Sequence, residues 1–141
     1  MFKLDIFGAG PERETLEKIL TDFKVSNVQL KGPVSNLESC LFNYDAFILA
    51  SRYEGFGLAP LEAAAVGLPL LLSDIQVFKE ITNGLANYFR AEDINGIAEQ
   101  TEQVFKNYER ACIKAEELKS LVAQKYSRPV YIEQLLGIYN S

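Results

Sequence analysis

Two periods of hydrophobic and polar positions alternate along this chain. Short apolar runs at Lys3–Phe7, Val28–Leu30, Asp45–Ala50, Leu70–Leu72 and Ala86–Phe89 predict strands. Apolar positions at helical spacing lie between and after them. The first helix is expected from Pro11 to about Lys24, with Leu16, Ile19, Leu20 and Phe23 on its buried face. Ser35 or Asn36 suits the cap of a second, with Leu37, Cys40, Leu41 and Tyr44 inward. Further helices are expected over Leu58–Val66, Ile75–Ile81, Ile94–Tyr108 and Ala111–Lys125. Asp93 suits the cap of the third of these, whose inner positions are Ile97, Thr101, Val104 and Phe105. Ser127 is expected to cap a last helix running from Arg128-Pro129 to about Tyr139.

Strands alternating with helices across short turns imply an α/β fold, with about five parallel strands in one sheet and helices on both faces. One domain spanning 1–141 is the natural expectation for this length. The three consecutive C-terminal helices exceed what a plain βα alternation predicts. They are expected to pack across the domain or onto another one.

Charge and composition narrow the partners. A net charge of −5, from 14 basic and 19 acidic residues, argues against nucleic acid and against an anionic membrane surface. No stretch approaches the ~20 apolar residues of a membrane span. The N-terminus enters a strand directly and does not read as a signal peptide, so the expected location is cytoplasmic. Cys40 and Cys112 lack metal-ligand spacing and read as free thiols. With no histidine, Ser-His-Asp and Cys-His catalysis and the usual zinc sites are excluded.

The stretch Ser51-Arg52-Tyr53-Glu54-Gly55-Phe56-Gly57-Leu58-Ala59-Pro60-Leu61-Glu62-Ala63 is the chemical centre. It follows a strand, turns on glycines and enters a helix, the arrangement at which α/β folds hold phosphate. The amides of Gly57, Leu58 and Ala59 lie at the helix start, beside the positive end of its dipole, and suit a diphosphate. Pro60 removes one amide in the first turn without cost. Glu54 in the turn and Glu62 one turn into the helix are expected to face one crevice and accept hydrogen bonds from ligand hydroxyls. The loops Gly8–Pro11, Gly32–Val34 and Arg52–Leu58 are expected to converge there, at the carboxyl ends of the strands. Each residue also has a plainer reading. Gly8 and Gly10 suit an ordinary tight turn, Glu54 a solvated turn and Glu62 a helix-face charge. Tyr53 and Phe56 suit packing.

Taken as a string, Glu54 to Ala63 resembles the E-x7-E signature of retaining glycosyltransferases of the glycogen-synthase and sucrose-synthase type, family GT4, with the GT-B fold. Ile6-Phe7-Gly8-Ala9-Gly10-Pro11 resembles that family's first-loop G-x-G-P. Leu30-Lys31-Gly32-Pro33-Val34 resembles its F-x-G-x-V, and Ala64-Ala65-Val66-Gly67-Leu68-Pro69 its A-x-x-G-x-P. The match covers about residues 4 to 95. It implies the Rossmann-like C-terminal half of a GT-B fold that binds a nucleotide-sugar donor, such as a UDP- or GDP-sugar, without metal or other cofactor. By resemblance Glu54 contacts the donor sugar near the reacting carbon. The amides of Gly57 and Leu58 hold the distal phosphate, Glu62 binds the ribose, and Gly32 to Val34 border the base. Gly8 and Gly10 leave room near the phosphates, and Gly55 and Phe56 complete the binding turn.

The resemblance also marks what is missing. By resemblance, the family's Arg and Lys diphosphate clamp is expected ahead of the strand at which these residues begin, and its N-terminal acceptor domain is expected outside them. Arg52, Arg13 and Lys79 are the available cations, with no motif to place them. The implied function is hexose transfer to a glycan or glycolipid acceptor, incomplete alone, with the N-terminal domain supplied in cis or in trans. That domain is also the implied route to any membrane-peripheral location. The alternatives are a non-catalytic nucleotide-sugar-binding or regulatory module, and half of a GT-B sugar-nucleotide epimerase.

Overall fold

A computed structural model describes residues 2–127, 129 and 130. The chain packs as two compact units, a first up to Leu37 and a second from Glu38 onward. In the first unit β1 (Leu4–Phe7), α1 (Arg13–Asp22) and β2 (Val28–Gly32) follow one another. Strands β1 and β2 pair in parallel, Leu4 opposite Val28 and Ile6 opposite Leu30, with an irregularity after Ile6 that sets Phe7 opposite Gly32. Helix α1 ends at Phe23, and Lys24 turns the chain with a left-handed φ of 52°.

The second unit holds α2 (Glu38–Leu41), β3 (Phe47–Leu49), α3 (Leu58–Val66), β4 (Leu70–Ser73), α4 (Gln76–Thr82), β5 (Asn87–Phe89), α5 (Ile94–Lys106) and α6 (Tyr108–Lys125). Its sheet has the order β3-β4-β5, all parallel. Central strand β4 is buried at every position, as a strand of three leucines and a closing serine flanked by strands on both sides should be. Leu71, Phe89, Val104 and Ala111 form a core between the sheet and helices α5 and α6. On α3, Ala63 and Ala64 are fully buried, and α6 packs against that helix with Ala111, Ala115, Leu118 and Val122 buried. Small side chains on both helices permit this close approach.

The fold class is as expected, α/β with parallel strands and five of them among the described residues, but they form a two-stranded and a three-stranded sheet. The first helix departs from expectation. None of its residues is buried, and Leu16, Ile19 and Phe23 are exposed. A two-stranded sheet in a unit of this size offers too little surface to cover a helix face. Helix α6 begins at Tyr108, three residues before its expected start, because Asn107 serves both as the end of α5 and the cap of α6. The expected helix from Ser127 to Tyr139 lies mostly outside the described residues.

Candidate functional site

Local sequence explains how the motif is built. Strand β3 stops at Leu49, and the chain runs through an irregular turn to Gly57. Gly57 adopts a left-handed φ of 84° and caps α3 with no side-chain hydrogen bond. A Cβ at this position would lie 2.9 Å from Ile81 Cδ1 and 3.3 Å from Phe78 Cε1. Glycine is therefore required twice, by the backbone and by packing on α4. Gly55 is different. Its φ is not left-handed, and nothing lies within 4 Å of where its Cβ would be. The fold places no demand on glycine there.

Helix α3 opens with no acidic residue in its first turn. Leu61 N donates to Gly57 O at 3.3 Å, and Pro60 has no amide, so Gly57, Leu58 and Ala59 carry the open N–H groups of this terminus. Glu54 is half-buried and its Oε1 accepts a hydrogen bond from Ser51 Oγ at 2.8 Å. Glu62, one turn into α3, is half-buried and has no hydrogen-bond or ion-pair partner among the described residues. The packing reading of the aromatics holds only in part. Tyr53 is 86% exposed, and Phe56 is half-exposed with one edge contact to Tyr126, ring centroids 6.1 Å apart. Leu58 stands 66% exposed at the helix start.

The ends of the three strands are laced together at this edge. Ser73 donates its hydroxyl to the Ser51 carbonyl, Asp74 N donates to Phe89 O at 2.7 Å, and Arg52 pairs with Glu92 at 3.3 Å. The Ser51–Glu54 and Ser73–Ser51 contacts go beyond what the sequence assigns to either serine. Ser51, three residues before Glu54, was the available signal, as was a serine closing an otherwise apolar strand.

In the first unit the Gly8 and Gly32 turns meet, with Gly8 N donating to Gly32 O at 2.9 Å. Both glycines have left-handed φ values, 128° and 81°. Gly10 has ordinary φ and open space around it, and Val34 is exposed. Arg13 lies beside this turn, donating to Leu30 O at 3.2 Å, with its guanidinium 4.0 Å from where a Gly32 Cβ would be. All three candidate cations are already paired: Arg13 with Glu17 at 2.9 Å, Arg52 with Glu92, and Lys79 with Asp74. Such exposed pairs are worth about 1 kcal/mol or less, so a ligand phosphate can compete for each.

A cavity of about 260 Å³ lies at the other end of the second sheet, by the start of β5, lined by Asn87, Gln103, Val104, Asn107, Arg110, Ala111 and Lys114. It holds no carboxylate and lies apart from the motif, which follows the carboxyl end of β3. Among the described residues there is no cluster of side chains able to hold a metal ion, and no helix is long and apolar enough to cross a membrane.

Residues 1–121 match the family model for glycosyl transferases group 1. The chain is 35% identical over 135 residues to a poly(glycerol-phosphate) alpha-glucosyltransferase of Bacillus subtilis, covering 93% of this chain and 20% of that protein. It is 27% identical over 145 residues to a poly(ribitol-phosphate) alpha-N-acetylglucosaminyltransferase of Staphylococcus aureus, covering 99% of this chain and 29% of that one. Among solved structures, a mutant of S. aureus TarM in complex with Fondaparinux, alpha-GlcNAc-glycerol and UDP superimposes with a TM-score of 0.85 at 26% identity. That match covers 99% of this chain and 29% of the solved one. The chain thus spans less than a third of the length of these relatives.

Proposed function

Because the chain belongs to the glycosyl transferases group 1 family, whose GT-B fold its solved neighbours share, we propose that it is the donor-binding part of a glycosyltransferase. In this reading it binds a nucleoside-diphosphate sugar and serves a retaining hexose transfer to a glycan or glycolipid acceptor. The observation that carries the reading is the start of α3, where the amides of Gly57, Leu58 and Ala59 are open, with half-buried Glu54 in the turn before it and half-buried Glu62 one turn in. Open amides at a helix terminus favour a diphosphate, and acceptor-only carboxylates favour hydroxyl-rich groups on either side of it. Glu54 takes the sugar hydroxyls near the reacting carbon and Glu62 the ribose. Gly57 and Leu58 present the amides, and Gly55 and Phe56 form the rest of the turn.

The leaving diphosphate is stabilised by fixed amides and dipole, an electrostatic form of catalysis that needs no metal. The complex of TarM with UDP supports a UDP-sugar as the donor. The chain's small share of its relatives' length supports a reaction that needs further polypeptide, in cis or in trans, for the acceptor and for cationic support of the phosphates. The isolated chain is therefore expected to bind donor and to transfer nothing.

The test is an NMR titration with UDP, GDP, UDP-glucose and GDP-mannose. Binding is expected to shift the amides from Gly55 to Glu62, and the absence of shifts there with every ligand sinks the reading. Glu62→Ala is expected to weaken all nucleotides, whereas Glu54→Ala weakens only those bearing sugar. Equal behaviour of the two variants would refute the division of roles.

A further inference from the structure

The carboxylate assigned to the donor sugar is gripped by one neighbour, and that neighbour is itself anchored. Glu54 has one hydrogen-bond partner among the described residues, the Ser51 hydroxyl at 2.8 Å. The Ser51 carbonyl in turn accepts the hydroxyl of Ser73. Ser73 is fully buried, the last residue of β4.

We propose that Ser51 is a positioning residue for Glu54, and that Ser73 acts one step behind it by fixing Ser51. The proposal rests on the reading of Glu54 as a donor-sugar ligand and names what makes that ligand directional. A glutamate in a loop has several rotamers, and a hydroxyl has a single proton to give. Once Ser51 gives its proton to Oε1, that oxygen is oriented and the other remains free for ligand hydroxyls. Ser51 can do this only if its own backbone is held.

The β3–β4 ladder ends at Leu49 opposite Leu72. Ser51 lies beyond it, with no strand partner to fix its carbonyl. The Ser73 side chain takes the place of the missing backbone donor and extends the ladder past its end. On the other side of β4, Asp74 N donates to Phe89 O, so the base of this relay is tied to both neighbouring strands. Serine fits both positions for distinct reasons. At the fully buried Ser73, threonine would add a methyl to a closed space, while alanine would strand the carbonyl of Ser51. At half-buried Ser51, threonine keeps the donor, which makes it the rescue variant.

The experiment uses the 141-residue chain and two readouts. Three-bond scalar couplings report the χ1 of Glu54 without ligand. Calorimetric titrations with UDP and with UDP-glucose give the ratio of the two affinities. In Ser51→Ala, Glu54 is expected to average over rotamers, and the UDP-glucose advantage over UDP to fall about three- to tenfold while UDP affinity stays unchanged. Ser51→Thr restores both. Adding Ser51→Ala to Glu54→Ala produces no further loss. A Glu54 that keeps one rotamer in Ser51→Ala overturns the proposal, as does an unchanged ratio in Ser51→Ala when Glu54→Ala lowers it. A wild-type chain that binds UDP-glucose no better than UDP removes the sugar role of Glu54 itself, a separate failure that takes the relay's function with it.

Discussion

The two units are written in the same βα grammar and end up with different interiors. Strand β1 alternates exposed and half-buried positions, whereas β4 is buried throughout. Helix α1 buries nothing, whereas α4 buries Phe78, Ile81 and Thr82. The apolar content of the two helices does not explain this, since α1 carries Leu16, Ile19 and Leu20 at proper spacing. The difference lies in what surrounds them. β4 has a strand on each side and helices packed on its sheet, while β1 has one partner strand in a sheet of two. Amphipathic spacing states which face wants cover, and only neighbouring elements supply it.

The sharpest way to break that comparison is a pair of phenylalanine truncations. Phe78 is fully buried and Phe23 is 77% exposed. Phe78→Ala is expected to cost about 3–5 kcal/mol in denaturant unfolding, and Phe23→Ala less than about 0.5 kcal/mol. Comparable losses would mean that the first unit has a core of its own.

Two glycines sharpen it next, within the motif itself. Gly57→Ala forces a left-handed alanine and drives its Cβ against Ile81 and Phe78, at a cost of about 2–4 kcal/mol. Gly55→Ala meets no atom and no unusual φ, so melting should barely change. Its effect is expected on the affinity for UDP-glucose, since the added methyl enters space that the fold leaves open. A destabilised Gly55→Ala, or a stable Gly57→Ala, would reverse which glycine belongs to the fold and which to the ligand.

These pairs show what could be seen in the residues beforehand. The helix Leu58–Val66 has the bounds its pattern predicts, because a glycine at each end takes the left-handed conformation that starts and stops it. Asp93 caps α5 as read, its Oδ1 accepting from Gly96 N at 2.9 Å. Asp93→Ala is therefore expected to lower stability by about 1 kcal/mol. A cap is local and needs only nearby residues. The burial of α1 needed a neighbour that no periodicity encodes, and the Ser73–Ser51 contact spans 22 positions. By its motif Gly57 suits a phosphate, yet the atoms nearest its missing Cβ come from α4, some 20 residues onward, which spacing within the motif cannot reveal. The carboxylates Glu54 and Glu62 were legible as a pair, while the ion pairs that already occupy Arg13, Arg52 and Lys79 were not.

The smallest effect expected is alkaline, and it reports on the second unit. Tyr108 donates its hydroxyl to Asp45 O at 3.0 Å, tying the start of α6 to the approach of β3. Burial, then the hydrogen bond and charge of Cys112, then the charge of Asp45, push its phenol from 10.0 up to about 12. The folded protein thus holds the neutral form more tightly than the unfolded chain does. The stabilisation is fully present below pH 10 and is lost as pH rises through about 12, because a phenolate cannot donate to the carbonyl. The first unit contains no tyrosine, so this loss cannot arise there. Chemical unfolding between pH 9 and pH 12 is expected to show a decline in stability that Tyr108→Phe flattens relative to wild type. If Tyr108→Phe declines as steeply as wild type, the clasp between α6 and β3 contributes nothing to the pH response, and the second unit's alkaline sensitivity lies in other groups.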